Sequence, residues 1–172
     1  MNLYRILGIV FFASALMTSG CGSARTPYVE MGYMMNDALS VTVGSPMMSW
    51  EVGERNPVYN RKIQGFRREL IYSGIAHDVV QVAYREYQIN QVVGQAPIIR
   101  PAFGQNLQYD ITKSRTITFQ DVEIEVLAAD QERIEYRILT EPDAVIRTRA
   151  MMTEKAVARS KSSSRGGRPS AR

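Results

Sequence analysis

The sequence predicts an all-β fold, an antiparallel β-sandwich or small β-barrel of about seven to nine short strands. Three observations predict it. Short runs of alternating apolar and polar residues recur between positions 39 and 141, the period of a strand with one buried face. Clusters of Gly, Pro and Asn punctuate those runs at close intervals. No helical period is sustained before residue 142.

Taken in order, Leu39, Val41 and Val43 alternate with polar partners, and Gly44 and Pro46 interrupt them. Met48, Trp50 and Val52 resume the alternation, and residues 53–60, with Asn56 and Pro57 among them, read as a loop. Phe66, Arg68, Leu70 and Tyr72 share one face of the next strand, with Arg67, Glu69 and Ile71 on the other. Ser73 and Gly74 are expected to turn the chain into a long strand over residues 79–88, with Val80, Val82 and Tyr84 on one face. Residues 94–101 hold two prolines and Gly94, so they read as a loop with a short edge piece at Ile98 and Ile99. Phe103, Gln105, Leu107, Tyr109 and Ile111 then alternate, and Lys113 and Ser114 lead tightly into residues 115–119.

The clearest pair is Val122, Ile124 and Val126 with Ile134, Tyr136 and Ile138, each apolar residue separated from the next by one polar residue. Period two with one charged face marks a sheet packed on one side. Glu123 and Glu125 are expected opposite Arg133 and Arg137. Each such exposed ion pair contributes about 0–1 kcal/mol, whereas burying each aliphatic contributes about 1.5–3 kcal/mol. The apolar face therefore holds the hairpin. Pro142 and Asp143 can open a helix, giving a candidate short helix over 142–159 that the β-branched Val145, Ile146, Thr148 and Thr153 oppose. Residues 160–172 are mostly Ser, Gly and Arg and read as a disordered basic tail.

The N-terminus carries a different message. Arg5 precedes an apolar, uncharged stretch from Ile6 to Met17, followed by Thr18, Ser19, Gly20 and Cys21. The stretch is too short to span a ~30 Å hydrocarbon core as a helix, and its layout is that of an export signal. TSGC at residues 18–21 resembles the bacterial lipobox, with Thr18 where that motif usually has Leu. The resemblance implies a signal peptide over 1–20, cleavage between Gly20 and Cys21, and fatty acylation of Cys21. Cys21 is the only cysteine, so an exported chain is left with one unpaired thiol; acylation accounts for it. Gly22 follows, with no Asp at that position, and by the same resemblance this implies the outer membrane. Residues 21–38 lack a sustained period and read as a tether before a β domain over 39–141.

Charge is unevenly spread. Of 21 basic residues, Arg5 lies in the signal and six lie beyond Glu154: Lys155, Arg159, Lys161, Arg165, Arg168 and Arg172. The remaining 14 face 17 acidic residues, so the domain itself is slightly acidic. The basic residues of the tail are candidates for binding anionic surfaces. Export argues against nucleic acid as the partner.

ELIYSG at residues 69–74, YREY at 84–87 and RPAFGQ at 100–105 with YDI at 109–111 resemble a group of uncharacterised bacterial β-rich, lipoprotein-like proteins. The resemblance spans about residues 66–140. It supports the β domain, and with no activity assigned to the group it implies nothing about catalysis.

Candidate chemistry is sparse. His77 is the only histidine, and on a strand its neighbour Asp78 would point to the opposite face, poor geometry for a catalytic pair; the two are expected instead in the solvated turn after Gly74. Glu123, Glu125, Glu132 and Glu135 fall on a solvated sheet face rather than in a cleft. Met31, Met34, Met35, Met47 and Met48 cluster just before Trp50. Thioethers suit Cu(I), so Met34, Met35, Met47, Met48, Trp50 and His77 form a candidate copper set; the same methionines also suit core packing. The expectation is thus a non-enzymatic, cofactor-free outer-membrane lipoprotein facing the periplasm. Its β domain would serve as a structural or protein-interaction module with an envelope partner, the alternative being a ligand or Cu(I) carrier.

Overall fold

The computed structural model describes residues 25–91 and 95–165. Among the described residues nine strands form two antiparallel sheets, and one helix follows them. The larger sheet contains β1 (Thr26–Met31), β3 (Pro46–Asn56), β4 (Arg61–Ala76), β5 (Val79–Asn90) and β6 (Ile98–Asp110), in the order β1-β3-β4-β5-β6. The smaller contains β2 (Leu39–Thr42), β7 (Thr116–Phe119), β8 (Val122–Ala129) and β9 (Arg133–Ile138), in the order β2-β9-β8-β7. The architecture is an open sandwich and not a closed barrel. Helix α1 (Asp143–Arg165) packs on β1 and β3.

The alternating residues make the core. Ile117, Val122, Ile124, Val126, Ile134, Tyr136 and Ile138 from the small sheet meet Met47, Met48, Trp50, Leu70, Tyr72, Val80, Val82 and Tyr84 from the large one. The β8–β9 hairpin forms as expected, with Glu125 opposite Arg137 and an ion pair of 2.8 Å between them. Arg133 instead reaches Asp130 and Glu135. Two buried hydroxyls tie the sheets together: Tyr136 donates to the Met47 carbonyl at 2.5 Å, and Tyr72 donates to the Asp130 carbonyl.

Several local expectations are corrected. Residues 21–38 are not tether throughout: β1 lies within them and pairs along its whole length with β3. Residues 53–60 are not wholly a loop, since β3 runs to Asn56 before the turn. Ser73 and Gly74 do not reverse the chain. Gly74, at φ 107°, sits at a bulge where β4 slips one residue against β5, and a positive φ is what glycine permits. The reversal comes at His77 and Asp78, both with positive φ (50° and 60°), the backbone of a two-residue hairpin loop. Pro101 lies inside β6 rather than in a loop. It is tolerated because β6 is an edge strand and the register shifts beside it, between Glu86 and Tyr87.

The helix is longer than expected and reaches Arg165, so residues 160–165 are helical and not disordered. Its β-branched residues are accommodated one by one. Val145 is fully buried in the core, and the Thr148 hydroxyl donates to the Ala144 carbonyl at 2.7 Å. Glu141 holds Arg149 through two hydrogen bonds, at 2.8 and 3.1 Å.

Candidate functional site

The two sheets differ in length, and that difference opens the site. The small sheet has strands of 4, 8, 6 and 4 residues, against 11, 16, 12 and 13 for β3 to β6. It covers the half of the large sheet that carries Leu70, Tyr72, Val80 and Val82. The other half of the same inner face is left to α1, which roofs only the β1 side.

The floor of the uncovered half follows from strand register. Val29, Val52, Phe66, Gln88 and Arg100 stand side by side across the five strands, and Pro27, Glu54, Gln64, Asn90 and Ile98 form the next row. A groove of about 690 Å³ lies there, with Thr148, Met151 and Lys155 of α1 as its wall. Val52, Phe66, Pro27 and Met151 supply an apolar strip, and Gln64, Gln88 and Asn90 supply carboxamides. Phe66 keeps 39 % of its surface exposed, in a row continuous with the core face.

A polar step closes the groove on the core side. Arg68 Nε donates to Glu86 Oε2 at 2.6 Å, and the Tyr84 hydroxyl donates to the same oxygen at 3.0 Å. The Arg68 guanidinium lies 5.6 Å from the Phe66 ring centroid, within cation–π range. Burial, then the bond to Glu86, push the Tyr84 phenol up to about 12. It therefore stays a neutral donor throughout the physiological range.

The outer face of the same half carries the most buried charge among the described residues. Glu51 is 3 % exposed. It accepts hydrogen bonds from the Tyr28 hydroxyl (2.7 Å) and Arg67 Nε (3.0 Å), and pairs with Lys62 Nζ at 2.5 Å. Lys62 also reaches Glu30 at 2.7 Å. Tyr28 lies in register with Gly53, Gly65 and Ile89. The two glycines make a trough for its ring: a Cβ at Gly65 would sit 3.1 Å from the Tyr28 hydroxyl oxygen, and one at Gly53 would strike the Gln64 carbonyl. With both carboxylate oxygens engaged and its pKa lowered, Glu51 has no proton to give. The cluster is a clamp that fixes β1 to the sheet.

The expected site residues are scattered. Met47 and Met48 are both fully buried, because the register shift between Pro46 and Met48 turns both inward. Met35 packs against the same core, and Met34 is 57 % exposed on the link to β2. Trp50 is buried opposite Arg68, nine residues along β4 from His77, or about 30 Å of strand. His77 is exposed at its turn. The geometry therefore does not gather a Met–Trp–His copper set. No cluster of three or more His, Cys, Asp or Glu suited to a metal occurs among the described residues.

Glu123, exposed, and Glu125 and Glu135, half-buried, lie on the outer face of the small sheet, and Glu132 is exposed in the β8–β9 turn, away from the groove. Lys155 and Arg159 line a hollow beside Thr26, Arg55 and Asn60, and Lys161 is exposed on the helix. The backbone at Arg165 is helical. Gly20, Cys21, Arg168 and Arg172 lie outside the described residues. Sequence reasoning missed both the groove and the Glu51 clamp, although Gly53 and Gly65 inside alternating strands are the signal for close approach by another group. Compared with protein-family models, curated proteins and solved structures, the chain matches none of them.

Proposed function

We propose that this chain is a cell-envelope lipoprotein, acylated at Cys21 and held at the outer membrane. In this reading its sandwich is a non-enzymatic module that binds an envelope protein in the groove beneath α1. The observation that carries the reading is the uncovered inner half of the large sheet. A sheet face normally buries its apolar side, and here Val52, Phe66 and Met151 line an open groove instead. The carboxamides around them suit a partner that brings backbone amides as well as apolar side chains, the mixed chemistry of a protein interface. The Arg68–Glu86–Tyr84 step is internally satisfied and serves as a wall rather than as acid–base machinery.

Two measurements test the two halves of this reading. Intact mass and membrane fractionation of the expressed chain should give a product that begins at Cys21 and carries acyl groups. Cys21→Ser should move essentially all of it to the soluble fraction; an unmodified, soluble parent chain overturns the anchor. A photoreactive residue at position 66 should cross-link one defined envelope protein, whereas the same residue at position 123, on the opposite sheet, should not. Equal capture from both positions, or none from position 66, overturns the groove as the binding face.

A further inference from the structure

The end of the large sheet where β1 begins carries a hairpin tip that neither the core nor the groove uses. The β3–β4 hairpin tip there presents Val58 and Tyr59, 78 % and 72 % exposed, the most exposed large hydrophobics of the described residues. The tip is nonetheless held in one shape. Asn56 Oδ1 accepts the backbone N–H groups of Val58 (2.9 Å) and Tyr59 (3.3 Å), and Arg55 donates to Asn60 Oδ1 at 3.1 Å. Asn60 takes the positive φ (50°) that ends the turn.

Cations surround this tip. At its base Arg55 stands opposite Lys62 and Arg61 opposite Asn56, and Lys155 and Arg159 of α1 border the hollow that Arg55, Pro57 and Asn60 share. The nearby acids are engaged: Glu54 pairs with Arg25, and Glu30 and Glu51 with Lys62. Beyond Glu154 the helix contains no further acid. The chain also enters at this end, since Thr26 pairs with Arg55. Thr26 is five positions along the chain from Cys21, a span of at most about 18 Å.

We propose that this pole is a membrane-docking surface. Val58 and Tyr59 enter the headgroup region of the bilayer, and the collar of Arg55, Arg61, Lys155 and Arg159 engages the phosphates of anionic phospholipids. The chemistry is that of interfacial anchors: an amphipathic aromatic ring at headgroup depth, with guanidinium and ammonium groups attracted to a negative surface. The inference deepens the membrane-anchored reading above by giving the anchored domain a fixed orientation. The acyl groups fix the chain to the bilayer but not its orientation; a basic hairpin with an apolar tip supplies that second, orienting contact.

The test separates docking from acylation by using the chain from residue 21 with Cys21→Ser, which contains every described element. It is sedimented with vesicles of phosphatidylglycerol and phosphatidylcholine, and with phosphatidylcholine alone. Binding is expected to the anionic vesicles and to weaken with added salt. Arg61→Glu, a change of two charge units at the surface, should weaken it about 30-fold. Val58→Ser with Tyr59→Ser should weaken it about tenfold while leaving the salt dependence in place. All three positions are exposed, so unchanged thermal melts are expected and serve as the folding control. Equal binding to neutral vesicles overturns the proposal. So does binding that both hairpin variants retain in full, which would assign the attraction to the basic tail.

Discussion

A Tyr28→Ala chain is expected to lose about 3–5 kcal/mol of folding stability, and with it the pairing of β1. The ring is 1 % exposed although it lies on the outer face of the sheet. Its floor is the Gly53–Gly65 trough, and Lys62 and Arg55 lie over it, 5.4 and 5.8 Å from its centroid. Removing the ring leaves a trough whose floor is backbone, which cannot collapse to fill it. It also takes one donor from the buried Glu51 carboxylate. Tyr28→Phe separates the two contributions. It keeps the ring, loses only the hydroxyl-to-carboxylate bond, and should cost about 1.5–3 kcal/mol. Urea unfolding measures the difference, and hydrogen exchange at the amides of Tyr28, Val29 and Glu30 locates it. Identical midpoints for the two variants would mean that the ring contributes nothing beyond its hydroxyl.

The second large effect is the dependence of stability on pH, set by Glu51. Burial alone would raise its pKa; the hydrogen bonds from Lys62 and Tyr28, the Lys62 charge and the Arg67 bond outweigh burial and hold it below the ordinary 4.5. A carboxyl lowered on folding contributes stability that is fully present above its unfolded value and is lost as pH falls through its folded value. Lys62 moves the other way. Burial would lower it, but bonds to Glu30 and Glu51 raise it above 10.5. Its contribution is complete below that pH and is lost as pH rises through the folded value. Burial, then the bond to Glu51, also raise the Tyr28 phenol, so above pH 10.0 the unfolded chain ionises while the folded chain resists. The cluster is therefore strongest between the two limbs.

Glu51→Gln should cost about 2–3 kcal/mol near neutrality. That figure is held down because the Lys62 and Arg67 side chains remain 26 % and 37 % exposed and are partly screened. The parent's loss of stability on acidification should flatten in the variant, and the two curves should converge below the titration of Glu51. Parallel curves from pH 3 to pH 7 would remove Glu51 as the source of the acid limb.

What could be read from the chain follows a physical division. The β8–β9 hairpin was legible because Val122 through Ile138 is local: six alternating apolar residues and one short turn decide it. The core face of β4 was legible for the same reason at Leu70 and Tyr72. Strand β1 was not, because its pairing depends on Gly53 and Gly65, far along the chain from Tyr28, and its own six residues include Pro27. Gly74 misled because a turn and a bulge both call for a residue of positive φ, and the local text does not distinguish them. Pro101 misled because its tolerance depends on β6 being an edge, a property of topology rather than of neighbouring residues. The groove has no local signature at all. It arises because strands that pair in one sheet are about twice as long as those that pair in the other, and Phe66 looks from sequence like any other core position.

The sixteen-residue β4 has a mechanical consequence. At ~3.3 Å per residue its contour is about 50 Å, with the Val58–Tyr59 tip at one end and His77 at the other. If the tip rests on the bilayer as proposed, no flexible stalk is needed to lift the His77 turn: the sheet is itself the spacer. It is a stiff one. A coil of that many residues samples many heights, whereas hydrogen bonds on both sides of β4 fix one. A partner meeting the His77 end would find it at a set distance from the membrane, as on a ruler.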